Sequence, residues 1–310
     1  MSWEPRTERT RLAAAGARSV TEAQFRQPRK EDTKNKIFWA LLLFAVTIAL
    51  VGLAALLIDA FLEGEARLSL NLLTEPTSRI ADSAGFRTAI LGSLWLIAGV
   101  IVLVVPLGVG AAIYLEEYAN RERWVNRVIE VNIQNLAGVP SIVYGILGLA
   151  FIVRGPLDLG FTLIAGSMTL ALLVLPTVII AAREAIRAVP PSIREGSLAL
   201  GATEWQTIWK QVLPAATPGI LTGVILAVSR AFGEAAPLLL IGAATFITAD
   251  PSDPFNDRFT ALPVLIFEEA KQAQPELREL AAAGIIVMLA VLLAVNSFAI
   301  WLRNRYEQKW

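Results

Sequence analysis

Six stretches of the chain are apolar almost without interruption, and the segments between them are polar. The runs lie at about Ile37–Leu62, Thr88–Ile113, Asn135–Val153, Leu163–Ala182, Ala216–Ile241 and Ala281–Leu302. Each is about 20 residues or longer, enough for a helix to cross roughly 30 Å of hydrocarbon. The pattern predicts an all-α integral membrane protein with six transmembrane helices. Residues 1–36 lack a sustained apolar period and are rich in Arg, Glu and Gln, which predicts a flexible arm. The first transmembrane helix, 37–62, follows that arm and is too long for a cleaved secretion signal, so the protein is expected to stay in the membrane.

The polar segments carry their own patterns. Residues 195–214, EGSLALGATEWQTIWKQVLP, separate two long apolar runs and read as two short helices hinged at a glycine. Ser192 and Glu195 have the S-x-x-E spacing of a helix-starting capping box, and Gly201 can stop that helix. Thr203 with Gln206 gives a second start, and Pro214 ends the unit. Trp205 and Trp209 share one face. Such a segment is either an ordinary amphipathic helix at the interface or a surface built to dock with another protein. Two capping boxes around a hinge specify more local structure than lipid contact requires, which favours docking.

Arg121–Ile133 places Trp124, Val125, Val128 and Ile129 on one helix face. It is either a short helix along the membrane interface or an early start of the third span. Gly138-Val-Pro140 is a breaker cluster that can kink or interrupt the third span, and Pro176 marks the fourth in a similar way. Segment 245–280 begins polar and Asp/Pro-rich, then turns amphipathic at Leu262–Phe267 and Leu277–Leu280, as expected of a periplasmic re-entrant or surface helix.

Formal net charge is zero, so its distribution carries the information. Segments 1–36, 114–133, 183–215 and 303–310 hold nineteen of the twenty-seven Lys and Arg. By the positive-inside rule these segments, and both termini, are cytoplasmic, and an even number of spans agrees. Arg183, Arg187 and Arg194 then serve as positive-inside anchors. The chain has no Cys and no His, which excludes disulfides, thiolate chemistry, His–metal sites and His-based triads. It also lacks a G-x-x-x-x-G-K-[ST] loop, so it is not expected to hydrolyse ATP itself. No catalytic residue, cofactor, metal or nucleic acid is expected.

The fifth run carries Arg230 and Glu234, the single pair of charges inside a predicted membrane run. A charge at mid-bilayer costs about 2.5–3.5 kcal/mol on insertion scales, so this pair must face the bundle interior or a wet cavity. At i, i+4 the two can neutralise each other. They are either the lining of an anion path, with Arg230 as the cation and Glu234 positioning it, or a structural ion pair.

The spacing Glu195, Gly201, Leu213, Pro214 resembles the EAA loop of ABC-importer permeases, which runs E-A-A, three residues, G, nine residues, I-x-L-P. Gly196 and Ser197 stand in place of the alanines, and Gln211 in place of the isoleucine. The stretches at 110–119, 135–149, 219–240 and 281–296 are similar to the PstA-type permeases of phosphate importers. The likeness covers roughly 88–305, and G-E-T-A-P of that family is here Gly233-Glu234-Ala235-Ala236-Pro237.

The resemblance implies a type I ABC importer permease fold in the bacterial inner membrane, with a core at 88–305 and a coupling loop at 190–214. The implied partners are a sister permease subunit in a heterodimer, two copies of an ATP-binding subunit, and a periplasmic phosphate-binding protein that delivers phosphate. Glu195, Gly201, Ala202, Thr203, Trp205, Leu213 and Pro214 would contact the ATPase. Arg230 would line the phosphate pathway, with Glu234 keeping it oriented. The alternatives are a permease for another oxyanion such as molybdate or sulfate, an ion-coupled secondary transporter and, least favoured by the composition, a membrane enzyme.

Overall fold

The computed structural model describes residues 33–120, 122–243 and 247–306. Most of the expected N-terminal arm (1–32), Arg121 and the last four residues lie outside them. Among the described residues there is no strand; the chain is a series of helices.

The first helix, α1 (Thr33–Gly64), begins four residues before the apolar run it carries. Contacts divide the chain after Leu57: α1 up to that residue forms one unit, and residues from Ile58 onward form the other. Short helical turns, among them α2 (Asn71–Thr74), lead from α1 to α3 (Arg87–Ile113), which ends in a π turn at Tyr114–Tyr118. Next come α4 (Trp124–Ala137) and α5 (Ser141–Leu147), the latter extended by a π turn at Gly148–Val153. The long helix α6 (Leu163–Arg187) follows and runs through Pro176 without a break.

After α6 come α7 (Pro191–Ala199) and α8 (Glu204–Thr207), a π turn at Ile208–Val212, and α9 (Leu213–Phe232). The series closes with α10 (Ala236–Leu240), α11 (Leu262–Ala270) and α12 (Pro275–Tyr306). Among the described residues, five helical stretches are long and apolar enough to cross a membrane, and a sixth crossing is obtained when the bent pair α4–α5 is taken as one.

In the second unit α6 is the central helix, packed along α3 on one side and α9 on the other. Val100, Val104, Leu170, Val174, Val178, Ala227 and Ala231 are buried in one apolar cluster. The approach of α9 to α6 depends on Gly223, where a Cβ would collide with that of Ala181. Small residues at such crossings let backbones approach where lipid supplies no hydrophobic drive. A second cluster, Ala112, Ala182, Ile186, Val189, Val212, Ala216 and Ile220, joins the far ends of α3 and α6 to the start of α9.

Three expectations are corrected in detail. The third apolar run is not one span from Asn135: α4 and α5 meet at 107° around Gly138–Pro140, so 135–137 belong to α4. This bend also resolves the Trp124 segment as a separate helix, whose residues are all at least partly exposed. The fifth run does not continue as helix to Ile241, because α9 ends at Phe232 with Gly233 as its cap and α10 starts again at Ala236. Finally, Ser192 is no cap. α7 starts at Pro191, whose fixed φ suits the first helical position and whose missing N–H costs nothing there.

For segment 245–280 the sequence predicts a re-entrant or a surface helix, and burial of its helix departs from the second. α11 buries Leu262, Pro263, Val264, Leu265 and Glu269, and lies against α12 and α3. Its N-terminus is held by Ser93 on α3, whose Oγ accepts the Leu262 N–H at 2.9 Å. Glu269 is 1% exposed, and its Oε2 has no hydrogen-bond partner among the described residues. Burial penalises the charged form, and its pKa is pushed up to about 8.

Candidate functional site

The hinged unit predicted at 195–214 is present. Gly201 sits between α7 and α8 with φ +86°, a left-handed conformation open to glycine at little cost. Thr203 opens α8 with a complete capping box. The Gln206 N–H donates to its Oγ1 at 3.2 Å, and the Thr203 N–H donates to Gln206 Oε1 at 3.0 Å. Ser197 Oγ and Thr207 Oγ1 lie 2.8 Å apart and clasp the two helices across the hinge. Leu200, at the tip, is 91% exposed. Trp205 and Trp209 pack on each other with ring centroids 5.1 Å apart and are both exposed. The hinge thus presents an apolar knob and a tryptophan pair, with Glu195 exposed beside them.

The unit is not terminated by Pro214. The chain from Glu204 to Phe232 is one continuous helical stretch of 29 residues, and Pro214 occupies its place in the first turn of α9. The reason differs from that at Pro191: the π turn at Ile208–Val212 precedes Pro214, and its altered backbone hydrogen-bond spacing accommodates a residue without an N–H.

At the other end of α9 the guanidinium of Arg230 lies 3.5 Å (Nε to Oε1) from Glu234. Their side chains are 43% and 19% exposed. Glu234 falls in the break between α9 and α10 rather than on a continuing helix, so the break itself sets the pair's geometry. Across from α10 stands α5, where a Cβ on Gly145 would come within 2.7 Å of Pro237 Cα. Tyr144 of α5 is buried and donates to the Leu136 carbonyl at 2.9 Å, bridging the α4–α5 bend.

Residues 104–309 match the family described as the binding-protein-dependent transport system inner membrane component. The chain belongs to that family. The permease is 34% identical over 276 residues to the probable ABC transporter permease protein YqgI of Bacillus subtilis (strain 168), covering 85% of this chain and 92% of that protein. It is 35% identical over 283 residues to the phosphate transport system permease protein PstA of Yersinia pestis, with coverages of 91% and 94%. With PstA of Haemophilus influenzae it shares 32% over 267 residues, with coverages of 86% and 92%.

Among solved structures, a bacterial alginate ABC transporter matches with TM-score 0.66 at 15% identity, covering 90% of this chain and 98% of that one. The MetNI methionine ABC transporter matches with TM-score 0.55 at 14% identity, with coverages of 72% and 95%. At these identities the structural likeness speaks for the fold, that of the type I ABC importer permeases. The permease is a multi-pass membrane subunit of an ABC importer. The secondary-transporter and membrane-enzyme alternatives fall away.

Within the permease, Glu195, Gly201, Ala202, Thr203 and Trp205 gather at the hinged unit as the sequence suggests. Leu213 and Pro214 lie farther along the same rod, and Leu213 packs against the second apolar cluster. Sequence reasoning missed how the flanking charges are used. Glu116, in the π turn after α3, takes Arg187 in a two-pronged pair (Nε–Oε1 3.1 Å, Nη2–Oε2 3.0 Å) and Arg183 at 3.6 Å. Arg183 in turn reaches Glu130 of α4 at 3.1 Å. Glu117 takes Arg194 of α7 at 2.8 Å. These arginines are paired anchors, joined to acids about seventy residues away in sequence. The available signal was the Glu116-Glu117 doublet beside a membrane run, since a carboxylate so placed needs a partner.

Proposed function

We propose that this permease subunit imports phosphate, forming half of a translocation pathway in the bacterial inner membrane. A sister permease supplies the other half, in a heterodimer. Both termini and the α7–α8 hinge face the cytoplasm, where positive-inside asymmetry puts them. Two copies of an ATP-binding subunit carry the hydrolytic chemistry, one resting on the hinge, and a periplasmic phosphate-binding protein delivers the substrate. The observation that carries the reading is the hinged unit, with its exposed Leu200, Trp205 and Trp209, on a chain whose relatives in Yersinia and Haemophilus are named as phosphate transport permeases.

The docking surface is assigned to Glu195, Gly201, Ala202, Thr203 and Trp205, with Leu200 as its most exposed anchor. Leu213 and Pro214 join this surface to the membrane rod. Tryptophan is among the side chains that carry most of an interface's energy once water is excluded, which suits Trp205 at its centre. In the membrane Arg230 is assigned to the pathway. A permanent cation on a half-exposed side chain offsets part of the hydration phosphate gives up, and Glu234 holds the guanidinium in place.

The test is ATP-dependent phosphate uptake by the reconstituted complex, with molybdate and sulfate as competitors. Arg230→Ala should lower uptake by about tenfold or more, the worth of one lost charge-assisted contact, while the complex still assembles. Near-normal uptake in that variant makes the Arg230–Glu234 pair structural. Preferential transport of molybdate or sulfate overturns the substrate assignment.

A further inference from the structure

We propose that Glu117 and Arg194 form the linkage that carries movement of the hinged unit to α3 and α6, acting as positioning residues for the coupling of ATP hydrolysis to transport. This inference rests on the reading of the hinge as the ATPase contact. α7 has no fully buried residue. It is held to the bundle by Ile193, which packs against the second apolar cluster, and by polar contacts, the most extensive of them made by Arg194.

All three guanidinium nitrogens of Arg194 are engaged. Nη1 donates to the Val189 carbonyl at 2.7 Å, and Nη2 to the Ile186 carbonyl at 2.9 Å. Nη2 and Nε both donate to Glu117 Oε1, at 2.8 and 3.3 Å. The Val189 carbonyl lies in the turn after α6, and the Ile186 carbonyl, at the end of α6, accepts the Val189 N–H at 3.3 Å as well. One side chain of α7 thus fastens the end of α6 and the end of α3 together. A planar fork with fixed donors transmits direction as well as attraction, which an ammonium does not.

The acidic side of the joint divides its labour. Glu116 and Glu117 are consecutive residues of the π turn, so their side chains point in different directions. Glu116 faces α6 and binds Arg187 and Arg183; Glu117 faces α7 and binds Arg194. The first pairing fastens bundle to bundle. The second fastens bundle to hinge. Both sit in a π turn, a local widening of the helix that is common at functional sites. Glu117 is 12% exposed, so its pair with Arg194 is little screened by solvent.

The experiment uses the assembled complex and measures three things: ATPase association, ATP hydrolysis, and phosphate delivered per ATP hydrolysed. In Glu117→Gln and Arg194→Lys the complex should assemble and hydrolyse ATP, with phosphate per ATP reduced about tenfold. The double variant Glu117→Gln with Arg194→Lys should lose about as much as either single change, because both act through one joint; losses that multiply overturn the proposal. A purely structural cap lowers assembly or thermal stability and leaves the ratio unchanged; that result overturns the proposal. Loss of ATPase association in Glu117→Gln also overturns it, by placing the residue in the docking surface. In a parallel arm, Leu200→Asp that leaves the ATPase bound overturns the docking reading and the linkage with it.

Discussion

Replacing Glu269 by glutamine changes how stability depends on pH, and the size of the change follows from burial. The carboxyl is 1% exposed, its Oε2 has no hydrogen-bond partner among the described residues, and its pKa stands at about 8 against an ordinary 4.5. Below pH 4.5 it is protonated both folded and unfolded and contributes no slope. Between pH 4.5 and 8 only the unfolded chain gives up the proton, so stability falls as pH rises, by about 1.4 kcal/mol per unit. Across the whole window the loss approaches about 5 kcal/mol.

Glutamine keeps the shape and removes the ionisation, but adds an amide whose donors need partners, at a cost of about 1–3 kcal/mol. Glu269→Gln should therefore match or fall below the wild type at pH 5 and exceed it at pH 8. With about 2–4 °C per kcal/mol, the difference in Tm (variant minus wild type) should rise by roughly 5–15 °C over that range. Tryptophan fluorescence during heating in detergent, at fixed scan rate, reads it. Parallel Tm–pH curves for the two proteins would refute the buried, protonated carboxyl.

Gly223→Val drives a side chain into Ala181, and overpacking of this kind costs about 1–3 kcal/mol, seen as a lower Tm. Gly110→Ala, where an added Cβ meets nothing within 4 Å, should be neutral or stabilising in the same assay. Gly201→Val forces a branched side chain to φ +86°, a strain of about 1–2 kcal/mol confined to the hinge. ATPase binding by the assembled complex should weaken while the Tm of the bundle holds. Thr203→Ala removes the α8 cap, worth about 1 kcal/mol, and should speed amide exchange at Gln206 while that of α6 stays unchanged.

Much of the architecture is legible in the sequence because a bilayer demands long uninterrupted apolar runs, as at Leu163–Ala182. Where helices break inside an apolar run, hydropathy is silent. Ala235 to Ile241 reads as membrane, yet α9 stops at Phe232. Gly233 and Pro237 mark the weakness without fixing where the rod ends. The two capping boxes show the same limit. Thr203–Gln206 forms because nothing competes with it, whereas Ser192–Glu195 is displaced by the proline pair that starts α7 at Pro191. The hinge residues are readable because they are neighbours in sequence. Arg194–Glu117 and Arg187–Glu116 are not, because they meet only once α3 packs against α6 and the turn after α6 sets α7 beside them.

The unbroken helical stretch from Glu204 to Phe232 has a further meaning. Its 29 residues measure about 43 Å, and it carries the tryptophan pair near one end and Arg230 near the other. If, as proposed, the ATPase binds at the hinge and an anion at Arg230, any coupling free energy between the two binding events is reciprocal. If the ATPase grips the hinge more tightly in one state of the pathway and the anion also prefers one state, each alters the affinity of the other by the same factor. The permease can then be interrogated from either side of the membrane: titrating phosphate against ATPase affinity, or ATPase against phosphate affinity, must return one coupling constant.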